Sequence, residues 1–246
     1  MTEAQITPSE PASYPANYAR EHAVWNRPEN ERAGTPLIVL LHGYGANEAD
    51  LMGLAPLLPE EFTVVSLRAP QVLAPGAYQW FPLMAAADFD LGHVEAASDY
   101  VLEWLDSVRA QHTSVTLLGF SMGMAMATTL LRRRPGDFAA VVGLSGFAVD
   151  GGAAGGGGAA GGGGTGNNSE WAYVRDAELD GTVPFFWGRD QADPVITRDK
   201  IEFTLGWVRG RVDLTKIVYE GIMHSISGPE MAHVADFLRL KVLTRG

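Results

Sequence analysis

Short, uninterrupted apolar runs alternate along this chain with stretches whose apolar residues recur every third or fourth position. Leu37 to Leu41, Phe62 to Leu67, Val115 to Leu118, Ala140 to Leu144 and Val183 to Trp187 are runs of the first kind, flanked by turn-forming residues. A strand covered on both faces has no polar side to show, so such runs predict the inner strands of a parallel sheet. Val212 to Tyr219 alternates more clearly, and Tyr18 to Trp25 alternates weakly, as an edge strand does. Between these runs, Val94, Ala97, Val101, Leu105 and Val108 mark one face of a helix. Met122 to Leu131 is apolar nearly all round, as suits a helix packed against the sheet, and Arg198 to Val208 is a further helix. Ser227-Gly228-Pro229-Glu230 has the form of a capping box ahead of a last helix reaching Leu240. Strands alternating with helices predict an α/β fold with a mainly parallel sheet.

Two segments stand outside that pattern. Residues 1–16 read as a loose lead-in. Gly151 to Asn168 holds 11 glycines and almost no side chain to bury, so ordering it would cost much backbone entropy for little return. We read it as a flexible surface insertion within one domain spanning residues 17–246, because the runs on both sides belong to one sheet. It lacks the Gly-Lys-Ser/Thr ending of a phosphate-binding loop.

Composition narrows the function. The 246 residues carry a net charge of −11, so nucleic acid is not an expected partner. The one basic run, Arg132 to Arg134, sits where a helix stops before Pro135, where cations complement the helix dipole. With no cysteine, the chain has neither a thiolate nucleophile nor a thiolate metal site. The N-terminus has no basic segment followed by an apolar one, and no stretch reaches the ~20 apolar residues of a membrane span. A cytoplasmic protein is the expectation.

The chemistry is concentrated in Gly119-Phe120-Ser121-Met122-Gly123, directly after the apolar run at 115–118. A strand entering Gly-x-Ser-x-Gly and leaving as a helix is a nucleophile elbow: the serine occupies a sharp turn that lifts its hydroxyl above the sheet, and its neighbours must be small. A serine hydroxyl needs a base at neutral pH. Of six histidines, His224 alone lies in a loop between the last strand and the capped helix. The base needs an acid to orient it. Asp190 and Asp193 both fall in the loop that precedes the Arg198 helix, and either could serve. Acyl transfer also needs two donors for the developing oxyanion. The backbone N–H groups of Tyr44, in the glycine-containing turn after Leu41, and of Met122, just after the serine, are the candidates.

With these residues assembled, the chain resembles the carboxylesterase/phospholipase family of α/β-hydrolases. The resemblance is carried by Leu41-His42-Gly43-Tyr44-Gly45, Gln79-Trp80-Phe81, Leu118 to Gly123, Leu144-Ser145-Gly146, Asp193-Pro194-Val195-Ile196 and Tyr219 to Ser225, across about residues 36–240. It implies an α/β-hydrolase fold without a large cap. It implies a triad of Ser121, Asp193 and His224, with oxyanion donors at Tyr44 and Met122. Asp193 is favoured over Asp190 because Asp-Pro-Val follows the family pattern after a two-residue insertion. Trp80 and Phe81 fall where relatives border the acyl pocket, or are simply buried aromatics. The implied activity is hydrolysis of carboxylic esters of small or medium acyl chains through an acyl-enzyme on Ser121, with no metal or cofactor. The implied partner is a small-molecule or lipid-like ester, and the implied assembly often a homodimer. A thioesterase or lysophospholipase would use the same residues. A non-catalytic binding module on the same fold is the alternative from another class.

Overall fold

The computed structural model of the chain describes residues 21–83, 90–151 and 174–245. The expected lead-in at 1–16 lies outside these residues, as does all but Gly151 of the expected insertion at 151–168. Nine strands are present in the described residues: β1 (Val24–Trp25), β2 (Leu37–Leu41), β3 (Thr63–Leu67), β4 (Gln71–Ala74), β5 (Ala77–Gln79), β6 (Val115–Phe120), β7 (Ala140–Leu144), β8 (Pro184–Asp190) and β9 (Asp213–Tyr219). Seven of them form one sheet in the order β1-β3-β2-β6-β7-β8-β9. Only the short β1 runs antiparallel; every other pairing in that sheet is parallel. Among the described residues, four α-helices have defined bounds: α1 (Leu91–Val108), α2 (Met122–Arg133), α3 (Arg198–Val208) and α4 (Gly228–Lys241). This is an α/β-hydrolase fold, and among the described residues no cap domain is inserted between the strands.

The continuous apolar runs serve two cores at once, because successive side chains of a strand point to opposite faces. Leu37, Val39, Leu41, Val65, Leu117, Val141, Phe185 and Trp187 join one cluster, where α1, α2 and α3 pack. Ile38, Leu40, Val64, Leu118, Val142 and Phe186 join the other, under Met231, Val234, Phe237 and Leu238 of α4. Every residue of β2, β3 and β7 is buried, which is why none of these strands shows polar alternation.

Local signals set the helix ends. The Asp90 side chain caps α1 by accepting from the Gly92 backbone N–H at 2.7 Å. The expected capping box opens α4, with Ser227 and Glu230 each bonded to the other's backbone N–H. At the end of α2 the basic run is more than a solvated terminus. Arg132 is buried, its guanidinium pairs with Asp176 at 2.8 Å and it donates to the Val149 carbonyl.

Three features differ from the sequence reading. The β4–β5 hairpin was not foreseen; its strands are short and flank Pro75-Gly76, which reads only as a turn. Strand β8 continues through Asp190 instead of ending near Trp187. Of the edge-strand candidate, only Val24–Trp25 is strand among the described residues. No helix among those residues is long and apolar enough to cross a membrane.

Candidate active site

Strands β2, β6, β8 and β9 are parallel and deliver their following loops to the same end of the sheet, where open α/β folds place their sites. At the end of β6, Ser121 adopts φ 55 and ψ −117, a region that costs a non-glycine residue about 1–3 kcal/mol. The surroundings impose it. The Ser121 backbone N–H donates to the Leu144 carbonyl at 2.9 Å, and its own carbonyl accepts from the Met124 N–H at 3.0 Å. The two glycines of the motif have a direct steric reason. A Cβ on Gly119 would run into the Gly123 carbonyl, and one on Gly123 would run into the carbonyl of Leu41. The elbow therefore sits backbone to backbone against the end of β2. Ser121 is buried, at 8 % exposure.

His224 lies in the loop between β9 and α4, and its Nε2 is 2.9 Å from Ser121 Oγ. Its Nδ1 is 2.9 and 3.1 Å from the two oxygens of Asp193. A carboxylate only accepts, so Nδ1 carries the proton, and the remaining Nε2 accepts from the Ser121 hydroxyl. That is the arrangement in which imidazole acts as a base. The Asp193 side chain is buried, and its Oδ1 also accepts the N–H groups of Val195 and Ile196, which fix its rotamer. The Phe120 ring lies 5.1 Å from the imidazole and covers one side of it. Asp190, the competing acid, reaches the backbone on either side of this constellation instead of the ring.

The turn after β2 carries the other half of the site. Among the described residues, neither the Tyr44 nor the Met122 backbone N–H is taken by a protein acceptor. Met122 opens α2, so the positive end of the helix dipole points the same way as its N–H. His42 braces the turn. Its Nδ1–H donates to the Gly43 carbonyl at 2.7 Å, and its Nε2 accepts from the Ala69 N–H at 3.0 Å. Both ring nitrogens are thus committed as a neutral tautomer, and burial pushes the imidazole below its ordinary value. The Trp80 indole N–H donates to the His42 carbonyl at 2.9 Å. The β4–β5 hairpin completes the brace through the Gly45 N–H to the Tyr78 carbonyl, also at 2.9 Å.

Trp80 and Phe81 are both fully buried in the core cluster. For Trp80, the geometry supports the buried-aromatic reading, with a bracing function that the sequence did not suggest. Ser145, part of a segment that carries the resemblance but given no role from sequence, donates its hydroxyl to the Ser225 carbonyl at 3.2 Å, one residue beyond His224. Its φ of 43 at the end of β7 carries no sequence signal, since non-glycine residues rarely sit there. Among the described residues, no group of three or more His, Asp or Glu side chains is gathered as a metal site.

Comparison with known proteins bears on this geometry. Residues 26–153 match the family described as Phospholipase/Carboxylesterase. Among solved structures, the esterase PE8 superposes with a TM-score of 0.70 at 24% identity, over 90% of this chain and 99% of that one. The Bacillus cereus carboxylesterase gives 0.68 at 18% identity, over 89% and 93%. A phospholipase/carboxylesterase from Dyadobacter fermentans gives 0.63 at 18%, over 87% and 94%. At these identities the superpositions speak to the fold.

Proposed function

The chain belongs to the phospholipase/carboxylesterase family and is an ester-hydrolysing enzyme, and from that premise we propose that Ser121, His224 and Asp193 carry out the hydrolysis. One observation carries this reading: the continuous line from Ser121 Oγ through the imidazole to the buried Asp193 carboxylate, each link at 2.9 Å. Ser121 Oγ attacks the ester carbonyl carbon as its proton passes to His224 Nε2. The tetrahedral oxyanion is held by the Tyr44 and Met122 N–H groups. Collapse expels the alcohol, protonated by His224, and leaves the acyl group on Ser121. Water then attacks with His224 again as base, releasing the acid and restoring the serine. Asp193 keeps the imidazole in the productive tautomer and stabilises its transient positive charge.

We propose carboxylic esters of small or medium acyl chains as the substrates. The test is hydrolysis of p-nitrophenyl butyrate by wild type and Ser121→Ala at equal folded concentration. Turnover that vanishes in the variant supports the reading. Equal rates would remove Ser121 as nucleophile. A panel of longer esters, acyl thioesters and lysolipids then ranks the substrates, because the carbonyl chemistry is common to all three.

A further inference from the structure

Asp190 is a buried acid that the triad does not use. It closes β8 at 1 % exposure, and its two carboxylate oxygens serve two different loops. Oδ1 accepts the backbone N–H of Ala192 at 2.7 Å, and Oδ2 accepts the backbone N–H of Met223 at 2.8 Å. Ala192 directly precedes Asp193, and Met223 directly precedes His224. One side chain therefore grips the residue before the orienting acid and the residue before the base.

The grip on Met223 meets a conformation that needs holding. Met223 has φ 57, a left-handed value that a methionine rarely adopts, shortly after Gly221 at φ 79. Met223 is half exposed, so packing of its own side chain does not impose that value. The Ala192 N–H above all, with those of Met223, Ile222 and Gly221, holds the Asp190 carboxyl below its usual range against the opposing effect of burial. The group thus stays a charged, two-sided acceptor.

We propose that Asp190 is a positioning residue that sets the spacing of Asp193 and His224 by bridging the backbone N–H groups immediately before each. This deepens the triad reading and rests on it. The consequence is specific. An asparagine has the same shape but only one accepting oxygen, and its NH2 would face an N–H donor. Asp190→Asn must release one loop, and Asp190→Ala both.

The experiment measures kcat and KM for p-nitrophenyl butyrate, the rate of Ser121 labelling by a fluorophosphonate, and the melting temperature. The proteins are full-length wild type, Asp190→Asn, Asp190→Ala and Asp193→Asn. Misplacing a catalytic group by about an ångström costs on the order of 10²-fold. Asp190→Asn should lose roughly 10- to 100-fold in kcat and in labelling rate, with KM within about threefold, and Asp190→Ala should lose more. Adding Met223→Gly to Asp190→Asn should recover at least roughly threefold, because glycine adopts a left-handed φ without help. Should Asp190→Asn fail to fold, Asp190→Ser, which keeps one accepting oxygen, replaces it. Unchanged kcat and labelling would overturn the proposal. So would a loss as large as that of Asp193→Asn, which would make Asp190 the triad acid, or a missing recovery with Met223→Gly. Failure of the triad reading shows separately, as a wild type that neither turns over nor labels, and would overturn both.

Discussion

The turn that carries Ser121 and the loop that carries His224 meet at one hydrogen bond, yet they are held in place by different means. The serine turn is fixed by backbone against backbone. Gly119 and Gly123 let β6 and α2 touch each other and the end of β2, and Leu144 takes the Ser121 N–H. The histidine loop is fixed by side chains. Asp190 holds the Met223 N–H, Ser145 the Ser225 carbonyl, and Glu230 the Ser227 N–H at 3.4 Å. The proposed nucleophile, Ser121, is held by glycine and backbone contacts that do not titrate. The proposed base, in a loop held by carboxylates and a hydroxyl, can be loosened by single substitutions and, through Glu230, by pH.

The largest expected effect comes from cutting the bond where the two regions meet. His224→Ala removes the proposed proton acceptor and leaves the proposed oxyanion donors in place, so kcat should fall by about 10⁴–10⁶ with a smaller change in KM. Steady-state kinetics with titrated enzyme read this directly. A loss below about 10² would mean that another group takes the Ser121 proton.

Next in size is an insult to the serine side alone. In Gly123→Ala the new methyl must enter the space of the Leu41 carbonyl, and backbone cannot yield as a side chain can. The variant should lose about 3 kcal/mol or more of stability. Ser121 labelling should slow by about 10² even in the folded fraction, because the serine is displaced. A variant that melts and labels like wild type would show that the elbow tolerates what its geometry forbids.

The same contrast decides what could be read from the sequence. Steric necessity leaves a residue signature: only glycine satisfies positions 119 and 123, so Gly-x-Ser-x-Gly after an apolar run announced the elbow. The doubly buried strands announced themselves through Leu37 to Leu41 and Ala140 to Leu144, and the Ser227 capping box marked the start of α4. Side-chain support leaves no such signature. Nothing about Asp190 in sequence distinguishes an acid that orients an imidazole from one that grips two backbone N–H groups. The difference depends on β8 running on to residue 190, which Gly188-Arg189 conceals by interrupting the apolar run. Ser145 and the His42–Trp80 brace are invisible for the same reason, as their partners lie 80 and 38 residues away in sequence.

Glu230 offers the finest separation of the two regions, because it makes one of them pH-sensitive. Its carboxyl is buried at the start of α4, and Oε1 has no hydrogen-bond partner among the described residues, facing Gly188 where no Cβ would fit. Burial pushes it up to about 7, partly opposed by the Ser227 N–H. Nearby Tyr219 is pushed up to about 12, by burial first and by the Glu230 charge second. A carboxyl that binds its proton more tightly when folded contributes stability that is fully present below its ordinary value of 4.5 and is lost as pH rises through about 7. Glu230→Gln keeps an accepting oxygen for the Ser227 N–H but never ionises. At pH 4, below that ordinary value, the two proteins should unfold at nearly the same urea concentration. By pH 8 the glutamine variant should be the more stable by on the order of 2 kcal/mol. Equal pH dependence in the two would mean that Glu230 is ionised in the folded protein throughout, and that the histidine loop is as insensitive to pH as the serine turn.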